Sequence, residues 1–419
     1  MIHAGWLRHT SIDMFSLTPP PREFESFPVP RRILMGPGPS DMPPRVVHAL
    51  GQPAIGHLDP EFVRMMDEIK LLLRYAFQTA NTLTFAVSGP GSVGMETCFV
   101  NLVEPGDKVI VCRNGVFGGR MIENVERCGG IAVVIEDTWG EPVDPDKLAA
   151  TLAQHPDAKL VAFVHAETST GVQSDAATLI ELARRHDCLT IVDCVTSLGG
   201  TPVLVDAWGA DAVYSGSQKC LSCTPGLSPV TFSERAIARL RARKHKVQSW
   251  FMDLGLVLQY WDSAAKRTYH HTAPVNSLYA LHESLVILAE EGLEQAWQRH
   301  RIHHEALKAG LESLGLEFLV KPAWRLPQLN AVKIPAGVDE AQVRSRLLNE
   351  FGIEIGAGLG PMAGKVWRFG LMGYSCQSEN ITRCLDGLAQ CLSAGDAASG
   401  AAVAAAKAVL ASASHGKSS

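Results

Sequence analysis

Lys219 closes the run Tyr214-Ser215-Gly216-Ser217-Gln218-Lys219, directly after a short apolar stretch, Ala210-Asp211-Ala212-Val213, that reads as a buried strand. Small residues around a single lysine let the backbone turn closely and present the amine to something bound beyond the strand end. A lysine held out of water has a lowered pKa and becomes nucleophilic, which is what a Schiff base with an aldehyde cofactor requires. For a lone lysine an exposed loop position is the commoner explanation. The other chemical groups of the chain decide between the two.

Leu189–Asp193 places a carboxylate at the end of another apolar strand, 26 residues before Lys219. Such a carboxylate can pair with a protonated pyridine nitrogen and keep the ring an electron sink; taken alone, it could equally cap the next turn. Gly89-Pro90-Gly91-Ser92-Val93-Gly94 follows a third strand and opens a helix. Free amides and the helix dipole there make a phosphate cradle. The spacing is formally that of a dinucleotide fingerprint, but a nicotinamide reading needs an acid ending the next strand. Lys108–Cys112 runs instead into Arg113 and Asn114, so a different phosphate is the better tenant. Strand-end residues of one parallel sheet open onto the same crevice, where such folds bind ligands.

The elements that position these groups follow from periodicity. Apolar residues from Glu61 to Phe77 fall at helical spacing. Short β-rich runs then alternate with helix-length segments: Leu83–Val87, Lys108–Cys112, Ala132–Ile135, Leu160–Val164, Thr190–Asp193, Ala212–Tyr214 and Pro229–Phe232. This is an α/β pattern, a mostly parallel seven-stranded sheet with helices on both faces. Beyond residue 290 helices at Leu293–Leu314 and Glu340–Glu350 surround strand-like pieces at Leu316–Val320, Ala331–Ile334, Ile353–Ile355 and Val366–Phe369, the pattern of a smaller α+β domain. The expected divisions are a proline-rich arm over residues 1–30, a large domain over 31–290, a small domain over 291–392 and a loose Ala-rich tail over 393–419. Ser40 or Asp41 is placed to cap a helix carrying Pro43-Pro44.

The formal net charge of −5 comes with neither a basic stripe nor an acidic tail, which disfavours nucleic acid and anionic membranes as partners. No apolar run approaches the roughly 20 residues needed to span a bilayer. Ten irregularly spaced cysteines read as reduced core residues of a cytoplasmic protein, and Cys220–Cys223, the single CxxC, has no second pair to complete a metal site. Met1–Asp13 lacks the apolar core of a signal peptide, Met14 is an alternative start, and the final residues are not a peroxisomal signal.

Asp193-Cys-Val-Thr-Ser-Leu-Gly-Gly200 followed by Ser215-Gly-Ser-Gln-Lys219 resembles the class V branch of the fold-type I pyridoxal phosphate aminotransferases. The likeness extends over about residues 31–392, through Gly36-Pro-Gly-Pro-Ser40, Glu167-Thr-Ser-Thr-Gly171, Tyr269-His-His-Thr272 and Gly358-Leu-Gly-Pro361. It implies pyridoxal 5′-phosphate as cofactor, joined to Lys219, which later moves the proton between Cα and the cofactor. It also implies Asp193 on the pyridine nitrogen; Ser88, Gly89, Pro90, Gly91, Ser92 and Gln218 around the phosphate; Phe117 against the ring face; and Ser169 near the phenolic oxygen. Tyr269 and Thr272 would reach the phosphate of a neighbouring subunit in a homodimer. Arg368, with Gly36 and Ser169, would hold the substrate, the guanidinium forking onto its carboxylate. Pro90 departs from the family by removing an N–H from the phosphate loop, and Phe117 stands where relatives often carry Trp.

The implied reaction passes the amino group of L-alanine or L-serine to glyoxylate in two half-reactions. Three alternatives remain open on sequence: a class V enzyme with pyruvate as acceptor; a cysteine desulfurase using Cys376; and a nicotinamide-binding protein built on Gly89–Gly94 with no role for Lys219.

Overall fold

The computed structural model describes residues 22, 25–261 and 267–415. The proposed arm lies largely outside the described residues, as do Met1–Met14 and the last four residues. Residues 25–31 are exposed and form neither helix nor strand.

From Ile33 onward the chain alternates strand and helix. It begins with β1 (Ile33–Leu34), α1 (Pro44–Leu50), α2 (Pro60–Phe77), β2 (Leu83–Ser88), α3 (Gly91–Leu102), β3 (Lys108–Arg113), α4 (Val116–Arg127) and β4 (Ile131–Glu136). It continues through α5 (Pro145–Gln154), β5 (Leu160–Val164), the short hairpin β6 (Ala166–Glu167) and β7 (Val172–Gln173), α6 (Ala176–Arg185), β8 (Leu189–Asp193), α7 (Val205–Trp208), β9 (Ala212–Tyr214) and β10 (Leu227–Phe232). α8 (Glu234–Arg241), α9 (Leu254–Trp261) and α10 (Val275–Glu291) complete this half.

α2 shows how the local code works. Asp59 accepts the Glu61 amide at the N-terminus, Pro60 takes the first helical position where no N–H is needed, and Phe62, Met66, Ile69, Leu73 and Phe77 form the buried stripe. The seven strands join in the order β2-β10-β9-β8-β5-β3-β4. Pairing is parallel from β9 to β4, whereas β10 runs antiparallel to both neighbours. β5 and β8 are buried at every position, which is why they read as continuous apolar runs and not as alternating ones. Asp193 and Tyr214 stand opposite each other at the ends of β8 and β9, so Lys219 leaves the sheet beside Asp193.

The remaining chain forms α11 (Leu293–Ser313), β11 (Leu329–Lys333), α12 (Glu340–Phe351), β12 (Ile353–Glu354), β13 (Gly356–Ala357), β14 (Val366–Gly370), α13 (Ser378–Cys391) and α14 (Gly395–His415). β14 is the central strand of a small antiparallel sheet, β11-β14-β13, and β12 pairs with β1. A second hydrophobic cluster, which includes the fully buried Trp367 and Phe369, fills this region.

Three local expectations differ from the structure. Leu316–Val320 makes one isolated bridge, Phe318 to Val332, and not a strand. Neither Ser40 nor Asp41 caps α1, whose N-cap is Pro43; Asp41 instead accepts the Leu34 amide, and Ser40 is used elsewhere. Where a loose tail is expected from residue 393, α14 packs on α11 and α13 with Ala402 and Ala406 fully buried. Alanine has little bulk to bury, but its small size lets helix backbones approach closely, and it has the highest helix propensity.

Candidate active site

At the carboxyl ends of β8 and β9 lies a cavity of about 210 Å³ walled by Pro90, Gly91, Ser92, Met95, Phe117, Arg120, Thr168, Asp193, Val195, Tyr214, Gln218 and Lys219. The turn bearing Lys219 is pinned from the N-terminal loop: Ser40 N donates to Gln218 O at 2.9 Å and Ser40 Oγ to Lys219 O at 2.7 Å. Lys219 Nζ donates to Pro37 O. Burial lowers its pKa to about 8, with nearby Arg368 pushing the same way. The free amine is therefore populated near neutral pH.

Asp193 is 2% exposed and both its oxygens are fixed. Tyr214 donates to Oδ2 at 2.7 Å and the Val195 amide to Oδ1 at 2.8 Å. Burial raises its pKa to about 6 against the opposing pull of those two donors. A protonated ring nitrogen placed against this carboxylate would hold it ionised.

Gly91 and Ser92 open α3, where the first amides have no partner within the helix. Gly89 reaches this turn at φ +151°, conformational space that favours glycine, with Val93 so near that a side chain would collide. Ser88, just before the loop, meets His271 Nε2 at 2.8 Å. Gln218 Oε1 is buried without a partner, so one end of that amide is free at the cavity. Phe117, in the first turn of α4, forms a wall with the Arg120 guanidinium 4.8 Å from its ring centroid.

Arg368 is 5% exposed, with Nε donating to Ala357 O at 2.7 Å and Nη1 to Thr168 O at 3.1 Å. Burial lowers its pKa to about 10. Gly36 lies against the same strand, close enough that a side chain at Gly370 would strike its carbonyl.

The structure thus gathers Pro90, Gly91, Ser92, Phe117, Asp193, Gln218 and Lys219 around one cavity. Ser169 is not in its wall. It turns inward to Glu167 and the Val116 amide, while Thr168 faces the cavity with its hydroxyl on Thr196. Tyr269 is 63% exposed and Thr272 is exposed; neither lines this cavity. Cys376 is buried directly after the short turn Gly373–Ser375. Sequence analysis assigns no site role to Tyr214, Thr168 or Glu167, and reads Ser40 only as a helix cap. Their signal, polar residues inside the quoted motifs, is visible only once pairing shows which face each takes.

These groups fit pyridoxal phosphate. Helix-start amides and a free amide end suit a phosphate, an aromatic wall and Val195 suit the ring, and an amine and a fixed carboxylate suit its aldehyde and nitrogen. A model of the class-V aminotransferases matches residues 33–381. The chain belongs to the class-V aminotransferases. This aminotransferase is therefore a pyridoxal phosphate enzyme. It is 45% identical over 366 residues to an alanine–glyoxylate aminotransferase of Oryctolagus cuniculus, covering 87% of this chain and 93% of the relative. It is 38% identical over 377 residues to an (S)-ureidoglycine–glyoxylate transaminase of Bacillus subtilis, covering 86% and 90%. The solved alanine–glyoxylate aminotransferase of a Nostoc species superposes with a TM-score of 0.87 at 47% identity, covering 88% of this chain and 98% of that one.

Proposed function

We propose that this aminotransferase moves the amino group of L-alanine, or L-serine, to glyoxylate, leaving pyruvate or hydroxypyruvate and forming glycine. The observation that carries the substrate class is Arg368, a buried guanidinium near Lys219 whose hydrogen bonds among the described residues go to two backbone carbonyls, those of Ala357 and Thr168. A buried cation with no carboxylate in direct contact is costly unless a ligand supplies one, and amino acids and 2-oxo acids both carry a carboxylate. Glyoxylate appears in the names of relatives with different amino donors, which supports the acceptor more firmly than the donor.

When bound, pyridoxal phosphate supplies the aldehyde that takes up the amino group and a ring that accepts negative charge from the substrate Cα. Lys219 Nζ would hold that aldehyde until the substrate amine displaces it, and the amine so freed would carry the Cα proton. Asp193 would keep the ring nitrogen protonated, Phe117 and Val195 would confine the ring, and the Gly91–Ser92 amides with Gln218 would hold the phosphate. Arg368 orients the substrate carboxylate through the N–H groups not given to Ala357 and Thr168.

The reading includes a homodimer, supported by exposed Tyr269 and Thr272 outside their own chain's cavity. It also includes a cytoplasmic location, supported by ten free, buried cysteines. Among the described residues no helix is long and apolar enough to cross a membrane.

The test is the visible spectrum of the purified holoenzyme during addition of L-alanine and then glyoxylate. The band is expected to fade with alanine and return with glyoxylate. A band indifferent to both L-alanine and L-serine overturns the donor, and one that fades but is not restored by glyoxylate overturns the acceptor.

A further inference from the structure

Glu167 is fully buried, yet only one of its carboxylate oxygens is satisfied. Oε1 accepts the Ser169 amide at 3.0 Å and the Ser169 hydroxyl at 2.6 Å, whereas Oε2 has no hydrogen-bond partner. The carboxylate lies against Gly115, where a Cβ would stand 2.2 Å from Cδ and 2.6 Å from Oε2, so only glycine lets it in. Ser169 Oγ also accepts the Val116 amide at 3.1 Å, tying Glu167 to the first turn of α4 and hence to Phe117. On its other side, the Thr168 carbonyl holds Arg368.

The charged side chains acting on Glu167 are Asp193 at the end of β8 and Arg368 in β14. α4 faces it with backbone amides, and that of Phe117 lies close enough to favour the ionised form without closing a well-formed hydrogen bond to Oε2. A buried acid with one oxygen open, sharing a turn with the anchor of a buried unpaired guanidinium, is a pair in which each charge feels the other through little water.

We propose that Glu167 is a positioning residue for the substrate: its charge sets how strongly Arg368 attracts a carboxylate, and substrate docking draws a proton from solvent onto Glu167. The inference rests on Arg368 being the carboxylate site. Ionised Glu167 offsets the field of Arg368 and repels an incoming carboxylate; protonated Glu167 does neither. A carboxylate docked on Arg368 in turn raises the proton affinity of Glu167. Burial raises the Glu167 pKa to about 7, so substrate affinity falls as pH rises through neutrality.

The experiment measures the inhibition constant of propionate, an unreactive monocarboxylate, on the holoenzyme, with kcat recorded alongside. In the wild type, propionate should weaken about three- to tenfold between about pH 6 and about pH 8.5. Glu167→Gln keeps the size and an oxygen for Ser169 but removes the charge. It should flatten that dependence and bind propionate more tightly at the higher pH, with kcat within about twofold of wild type. A Glu167→Gln enzyme with the wild-type pH dependence overturns the inference, as does one that loses kcat equally at every pH.

Arg368→Gln separates this failure from that of the underlying reading. Unchanged propionate binding there removes the carboxylate site itself, and with it both readings. Weakened binding with an unaltered Glu167→Gln profile overturns the inference alone. Should Glu167→Gln not fold, Ser169→Ala removes one donor from Oε1 and should move the pH midpoint upward; an unmoved midpoint overturns the inference.

Discussion

The Tyr214 hydroxyl donates to Asp193 Oδ2 at 2.7 Å while the Val195 amide occupies Oδ1 at 2.8 Å, so the carboxylate is fixed before any ligand arrives. The bond exists because β8 and β9 are paired in parallel with Asp193 opposite Tyr214. A fixed, hydrogen-bonded carboxylate stays ionised more readily than burial alone permits.

Tyr214→Phe keeps the ring and removes only that donor. Hydrogen bonds to charged groups contribute about 1.5–3 kcal/mol, so pyridoxal phosphate affinity should fall about tenfold or more. The Asp193 pKa should rise from about 6 because one of the two donors favouring its ionised form is gone. Equilibrium dialysis of the cofactor against both enzymes checks this; equal affinity would show that the Val195 amide suffices.

Gly38 sits at φ +105°, and a Cβ on it would stand 2.3 Å from Lys219 Nζ. Gly38→Ala therefore asks for a left-handed alanine, costing about 1–2 kcal/mol, and also displaces the amine. Because Nζ ends a flexible chain it can retreat, so the damage should fall on chemistry more than on folding. The expectation is a kcat at least about 100-fold lower with a melting temperature within a few degrees of wild type. Thermal unfolding and steady-state kinetics on one preparation decide it.

Burial lowers the Lys219 pKa to about 8 in the apo enzyme. As pH rises through that value the amine loses its proton and becomes the nucleophile, so cofactor uptake speeds up with pH. The rate of pyridoxal phosphate addition to the apoenzyme should rise about tenfold between about pH 7 and about pH 9, then level off. Stopped-flow absorbance measures it. A rate still climbing above about pH 10 would mean that the amine is solvated as in a free lysine.

The central sheet was legible because buried parallel strands write themselves as apolar runs: Leu160–Val164 and Leu189–Asp193 have no exposed position. The strand-end Asp193 and Lys219 followed from the same runs. Thr168 and Ser169 were not separable, because a two-residue strand, Ala166–Glu167, and the turn after it decide which hydroxyl faces the cavity. Ser40 looked like a helix cap by type, but its hydroxyl is spent on Lys219 O, 179 residues away. Long-range pairing of that kind leaves no periodic trace.

All ten cysteines are buried and unpaired, and burial raises Cys376 to about 12. A thiol so protonated and enclosed is a poor nucleophile. Iodoacetamide at neutral pH should leave the native holoenzyme active and should label the cysteines only after unfolding; stoichiometric labelling of Cys376 with loss of activity would revive a role for its sulfur.

Alanine carries too little surface to announce a core position, so the stretch from Gly395 to His415 reads as polar-poor filler. Yet Ala402 and Ala406, one helical turn apart, are fully buried in the cluster that includes Trp367 and Phe369. Such positions work by being small: the backbone of α14 comes close to α11 and α13 because nothing intervenes. Ala402→Leu should overpack this seam and destabilise the protein by about 1–3 kcal/mol. Ala404→Leu, on the solvent side, should cost less than about 0.5 kcal/mol. Neither residue lines the cavity, so the kcat of folded protein should be unchanged in both. Denaturant unfolding of the two variants discriminates directly: equal stabilities would mean that α14 only rests on the protein, while a gap in the stated direction makes it part of the second core.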